Sequence, residues 1–170
     1  MKRIALCAAA AALASLASAS AQERATATAS FISKEGKEAG SAKLSGNDKG
    51  VLIEIEVRGL PAGKWVAFHV HETGSCEHAG GHMSAGGHFN PAKAEHGYNA
   101  AKGPHAGDMP NQYVGADGVL RAQVFNHMVR LDGGETAIRG RALMIHGGAD
   151  DYAGQPAGNA GDRQACGINK

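Results

Sequence analysis

His88, His96, His105 and Asp108 follow one another at spacings of eight, nine and three positions in a stretch otherwise made largely of small and turn-forming residues, GHFNPAKAEHGYNAAKGPHAGD from Gly87 to Asp108. Imidazole and carboxylate are donors that Zn²⁺ takes at about 2.0 to 2.2 Å, and a closed tetrahedral site needs four of them on chain pliant enough to wrap the ion. The competing reading is a histidine-bearing surface loop, because 9 histidines in 170 residues place some on any long loop. A second group of imidazoles lies on strand-like sequence. In WVAFHVH, residues 65–71, Val66, Phe68 and Val70 can turn to a core while Ala67, His69 and His71 turn together the other way, because side chains two apart share a face. In RALMIH, residues 141–146, Leu143 and Ile145 turn inward and His146 closes the strand on the outer side. Three strand-borne imidazoles and one from the loop would make the nitrogen-rich site that suits Cu²⁺.

The frame that must hold these side chains reads as strands. Ala25, Ala27, Ala29 and Phe31 alternate with Thr26, Thr28 and Ser30; Ile53, Ile55 and Val57 alternate with Glu54, Glu56 and Arg58; Leu120, Ala122 and Val124 alternate with Arg121 and Gln123. Each run has one apolar and one polar face. Turn sequences separate them, SGNDKG at 45–50, GLPAG at 59–63 and LDGGE at 131–135. With no amphipathic helix in the pattern, the expected fold is all-β, an antiparallel sandwich or flattened barrel.

Residues 1–21, MKRIALCAAAAALASLASASA, have a basic start, a short apolar run and small residues before Gln22, the pattern of a secretory signal peptide cleaved near Ala21. The apolar run is too short for a lasting membrane span. Residues 22–170 then form one domain with no membrane segment after processing. Without Lys2 and Arg3, 15 of the 17 basic residues remain against 16 acidic ones, a formal charge of about −1 that gives no basis for a nucleic-acid or membrane partner. Of the 3 cysteines, only Cys76 and Cys166 outlast processing, and in an oxidising compartment they are expected to pair.

FHVHETGSC at 68–76, SAGGHFNP at 84–91, HGYNAAKGPHAGD at 96–108, GRALMIHGGADD at 140–151 and GNAGDRQACG at 158–167 closely resemble the copper/zinc superoxide dismutases, in order and in spacing, over nearly the whole processed chain. The short segments between His71 and Cys76 and between His146 and Cys166 resemble the exported bacterial class, which implies a periplasmic location. The resemblance implies a Greek-key, immunoglobulin-like sandwich with long metal-binding and electrostatic loops. It assigns copper to His69, His71, His88 and His146, and zinc to His88, His96, His105 and Asp108, so that His88 is shared. It makes Asp150 a carboxylate that accepts from the outer nitrogens of His69 and His96, and Arg163 a cation beside the copper, with the small anion superoxide as substrate. The implied cycle alternates the copper oxidation state between two superoxides, with His88 taking up and returning a proton. The resemblance implies a structural and electrostatic role for zinc, and a homodimer is compatible with the sequence.

Several residues fall outside the family pattern. Val66 and Ala67 stand where many members have His-Gly. His78 and His82 flank Ala79, Gly80 and Gly81 and read as solvated loop histidines; His127 lies among apolar residues and reads as structural. Asp162, directly before Arg163, could blunt its charge or pair with it. The segment after His146 has no Lys, which leaves Lys93 and Lys102 as guesses for long-range attraction of the substrate, and Trp65 is expected on the outer side of its strand. Two other functions compete. A copper carrier gains from few, labile ligands, whereas this chain offers a full set for each of two metals; a zinc hydrolase needs an open water position that four protein ligands would close.

Overall fold

The structure, a computed structural model, describes residues 24–170, and the signal peptide expected over residues 1–21 lies outside them. Nine strands follow in order: β1 Ala25–Ser33, β2 Glu38–Asn47, β3 Gly50–Val57, β4 Trp65–Val66, β5 Phe68–His71, β6 Gln112–Tyr113, β7 Leu120–Asn126, β8 Ala142–His146 and β9 Arg163–Asn169. The only helical turns among the described residues are two three-residue 3₁₀ turns, His78–Gly80 and Met83–Ala85. Seven strands make one antiparallel sheet in the order β5-β8-β9-β1-β2-β3-β7, and β4 pairs with β6 in a short ribbon. The all-β expectation holds.

Alternation explains which face each strand buries. Ala27, Ala29, Phe31, Ile53, Ile55, Val57, Leu120 and Val124 enter the core, with Glu54 and Glu56 half-buried and Arg121 and Gln123 exposed opposite them. Val66, Phe68, Val70, Leu143 and Ile145 close the same core from the other side. At Ala67 the chain passes from the ribbon to the large sheet, since β4 pairs with β6 and β5 with β8. With the Val114↔Leu120 bridge tying the segment after β6 to β7, this crossing rolls the sheet into a flattened barrel.

Two loops lie over the outer face of β5 and β8: residues 72–111, which run from the end of β5 to β6, and residues 147–162 between β8 and β9. The Cys76–Cys166 disulfide, with Cα atoms 5.6 Å apart, ties the first of them to β9. The two cysteines are 90 positions apart, and closing a segment of that length restricts the unfolded chain by about 4 to 5 kcal/mol in the chain-entropy account.

Candidate metal centre

The second face of β5 was expected to point outward, and it is dry. His69 and His71 are both 0% exposed and His146 4%, because the two long loops roof them. The roof is stitched to β5 by backbone bonds: Phe89 N–H donates to Val70 O (2.8 Å), Val70 N–H to Gly107 O (2.9 Å) and Glu72 N–H to Gly87 O (3.0 Å). These pairings set His88 beside His71 and Asp108 beside His69. At Gly107 a Cβ would stand 2.3 Å from Val70 O, so only glycine lets the loop lie this close.

Two donor clusters result, His69, His71, His88 and His146 in one and His88, His96, His105 and Asp108 in the other, each with ligand-capable atoms within 4.8 Å of one another and every member buried. In the first cluster one nitrogen of each ring is anchored: His69 Nε2 to Asp150 Oδ2 (2.9 Å), His71 Nδ1 to Gly86 O (2.9 Å), His88 Nδ1 to Asp108 Oδ1 (2.9 Å) and His146 Nδ1 to Gly161 O (3.3 Å). The remaining nitrogen of each, His69 Nδ1 and the Nε2 of His71, His88 and His146, is buried with no hydrogen-bond partner. An anchored N–H fixes the tautomer and leaves the opposite lone pair free. Four such lone pairs in one buried cluster fit a cation that favours nitrogen and fit little else.

Electrostatics agree with that reading. Burial, together with neighbouring imidazoles, pushes His71 down to about 2 and His146 to about 3. Burial also lowers His88, which Asp108 holds at about 4. At neutral pH these rings are uncharged donors. In the second cluster Asp108 Oδ1 lies 2.9 Å from His88 Nδ1, 3.1 Å from His96 Nδ1 and 3.5 Å from His105 Nδ1, while Oδ2 accepts from Gly97 N–H (2.9 Å) and His105 N–H (3.0 Å). Burial pulls its carboxyl up, and the hydrogen bonds from His105, His88 and Gly97 outweigh it and hold Asp108 well below the usual carboxylate range. His105 Nδ1 has no hydrogen-bond partner. Three nitrogens and one anionic oxygen are the donors of a closed zinc site, and both rings of the pair His69 and His96 present Nε2 to Asp150, at 2.9 and 3.0 Å.

Arg163 sits at the end of β9 at the lip of the first cluster, half-buried. Its guanidinium donates to His82 O (2.7 Å) and Gly86 O (2.6 Å), and the Gly86 carbonyl is also the one that receives His71 Nδ1. The arginine and a donor histidine thus share an anchor on the loop that Cys76 ties down. A cleft of about 440 Å³ opens beside it, lined by Lys34, Gly81, Met83, Gly161, Asp162 and Arg163. Asp162 is exposed, and the Arg163 guanidinium is spent on the two carbonyls; among the described residues no ion pair joins them.

Two readings from the sequence need correction. His82 is 0% exposed, because its backbone, at the left-handed cap (φ 59°) of a 3₁₀ turn, is drawn in by its bond to Glu77 O and by the Arg163 guanidinium; of the two loop histidines only His78 is solvated. His127 is exposed just beyond β7 and has no part in the core. Lys93 and Lys102 are both exposed, but the lysine that shares the arginine's cleft is Lys34, on the turn after β1, which the sequence reading missed because no local pattern links residue 34 to residue 163. Trp65 is 56% exposed as expected, stacked edge-on with Tyr113 at 5.3 Å.

Comparison with known proteins bears on the whole arrangement. Residues 38–169 match the family model for copper/zinc superoxide dismutase. A superoxide dismutase [Cu-Zn] of Aquifex aeolicus is 47% identical over 146 residues, 84% of this chain and 85% of that one. A superoxide dismutase [Cu-Zn] of Caulobacter vibrioides is 36% identical over 151 residues, 85% of this chain and 86% of that one. Among solved structures, a superoxide dismutase-like protein from Bacillus subtilis aligns with TM-score 0.78 at 39% identity over 82% of this chain and 95% of that one. The Cu/Zn superoxide dismutase from Brucella abortus aligns with TM-score 0.70 at 29% identity over 85% and 99%.

Proposed function

Because this chain belongs to the copper/zinc superoxide dismutase family, an oxidoreductase family acting on superoxide with copper and zinc, we propose the following division of labour among its residues. His69, His71, His88 and His146 hold copper; His88, His96, His105 and Asp108 hold zinc. The observation that carries this is the set of four unpartnered imidazole nitrogens in one buried cluster, each on a ring anchored through its other nitrogen. Copper bound there supplies one-electron redox chemistry, and zinc supplies positive charge without any.

The reaction turns two superoxides and two protons into O₂ and hydrogen peroxide. His88 Nε2 is the protein atom placed to hold one of those protons, since its ring belongs to both clusters and its Nδ1 faces the zinc set. Asp150 fixes the ring orientation of His69 and His96 together and so couples the two clusters. Arg163 attracts and orients the anion at the lip, with a guanidinium immobilised by two carbonyls. Lys34 adds a second cation to the same cleft and offsets Asp162.

The disulfide is consistent with an exported protein. We place it in the periplasm, with residues 1–21 removed and residues 22–170 as the working domain. A second copy of this chain is the partner proposed for the exposed aromatic pair Trp65 and Tyr113, since aromatic residues are enriched at such contacts. Metal analysis of the exported protein, paired with a superoxide assay and N-terminal sequencing, tests the assignment. One copper and one zinc per chain, activity and a start near Gln22 are expected; activity without copper would refute it.

A further inference from the structure

The carboxylate bridge between the clusters has to be aimed from two loops far apart in sequence. Asp150 lies on the loop after β8 and His96 on the loop after β5, and neither belongs to a strand. Loop backbone drifts unless something ties it, yet the His96 to Asp150 bond must hold at 3.0 Å. Two primary amides, neither of them a member of a donor cluster, make the tie.

Gln155 Oε1 accepts from His96 N–H at 2.9 Å, and Gln155 Nε2 donates to His96 O at 2.9 Å. Asn111 Oδ1 accepts from Asp150 N–H at 2.8 Å, and Asn111 Nδ2 donates to Asp150 O at 2.9 Å. Each amide thus closes a reciprocal pair of bonds on the backbone of one partner in the bridge. The two clamps run in opposite directions: Gln155, on the loop of Asp150, grips His96, and Asn111, at the end of the loop of His96, grips Asp150. Between them Gly158 leaves the gap that the bridge fills, for a Cβ there would stand 1.9 Å from Asp150 Oδ1 and 2.6 Å from His96 Nε2.

We infer that Gln155 is a positioning residue for the zinc ligand His96, acting with Asn111 as the other half of a crossed amide clamp that sets the two loops in register. This rests on the zinc assignment above. Gln155 also donates to Ala153 O at 3.0 Å, within its own loop, so a residue that merely orders that loop is the alternative. The two differ in which metal they affect. The loop of Gln155 also carries Gly161, whose carbonyl orients the copper-cluster residue His146, so general loosening would release both metals, whereas a lost grip on His96 releases zinc.

The test uses the copper- and zinc-loaded protein and follows transfer of each metal to a chromophoric chelator, alongside the visible spectrum with Co²⁺ in the zinc position. Gln155→Ala is expected to lose zinc about tenfold faster than the parent, in line with the usual cost of losing a group that supports a metal ligand, with copper release unchanged and a shifted Co²⁺ spectrum. Gln155→Met, close in size and without the amide, should behave like Gln155→Ala, and Asn111→Ala should also release zinc faster. Because Gln155 is exposed, these variants at that position are expected to fold. Zinc release at the parent rate from both Gln155 variants, or equal acceleration of copper and zinc, overturns this inference alone. A parent chain that takes up no zinc overturns the zinc assignment and this inference with it.

Discussion

The two donor clusters share His88 and are built on different principles. The cluster proposed for copper takes three of its four histidines from strands, His69 and His71 from β5 and His146 from β8, paired through the ladder that sets Phe68 opposite Ile145. Its geometry comes from the sheet, and its free nitrogens have nothing else to bind. The cluster proposed for zinc takes all four residues from one loop, and its order comes from Asp108, which collects two backbone N–H groups and faces three imidazoles. A site on rigid elements stands ready before the metal arrives. A site on a loop leans on its own hydrogen bonds and on the ion to keep its shape.

The largest expected effect separates the clusters outright. His146→Ala should abolish dismutation and leave zinc bound, because His146 belongs to the strand-borne set alone. Asp108→Ala should weaken zinc by more than about a hundredfold, since groups that only support a ligand already cost about 10 to 100-fold. It should also loosen the loop from Gly97 to His105. Metal content by mass spectrometry and proteolysis of the loop would check both, and full zinc occupancy in the Asp108 variant would show that the loop does not need its knot.

Acidification of the metal-free protein comes next. His71, His88 and His146 have folded pKa values held to about 2, 4 and 3 by burial, against an ordinary value near 6.5. The unfolded chain therefore binds protons that the folded chain refuses, and stability rises with pH. It is fully present above about 6.5 and is lost as pH falls through the window below it, with a slope of at most about 4 kcal/mol per pH unit for three groups. Asp108, also held low, extends the loss at the acid end. Urea unfolding between pH 7 and 5 measures the slope; a flat profile would mean that the rings accept protons in place, and the contrast between a dry strand-borne cluster and a hydrogen-bonded loop would lose its basis.

The smallest effect concerns the lip. A unit charge about 5 Å from a unit anion is worth about 3 kcal/mol at an effective dielectric of about 20, less once water and salt screen it. Arg163→Ala should then cost roughly 10 to 100-fold in rate, Arg163→Lys less and Arg163→Glu most, with both metals retained. Lys cannot reproduce the paired bonds to His82 O and Gly86 O, so its rescue should be partial. Lys34→Glu should slow the encounter by a few-fold, lessening as ionic strength rises. Equal rates across the Arg163 series at matched metal content would leave that residue as a brace for the disulfide loop.

Much of the fold and most of the donor set were legible in the chain itself. Period-two alternation in β1, β3 and β7 named the core residues, because a strand in a one-sided sheet must put every second side chain in the dry layer. Histidine spacing named the loop set and the pair His69 and His71, since ligands carried on one loop or one strand are near in sequence as well as in space; that His88 joins both sets came only from the resemblance to the family. What the sequence could not decide lies where residues far apart meet. Nothing local shows that the outer face of β5 is roofed rather than wet, that His82 is buried while His78 is solvated, or that Lys34 shares a cleft with Arg163. Likewise Gln155 and Asn111 are ordinary polar residues until the two loops cross. Strand alternation and ligand type are short-range properties written into neighbouring residues; burial, the direction of a lone pair and the company a charge keeps depend on chain brought in from elsewhere, and only the tertiary structure supplies it.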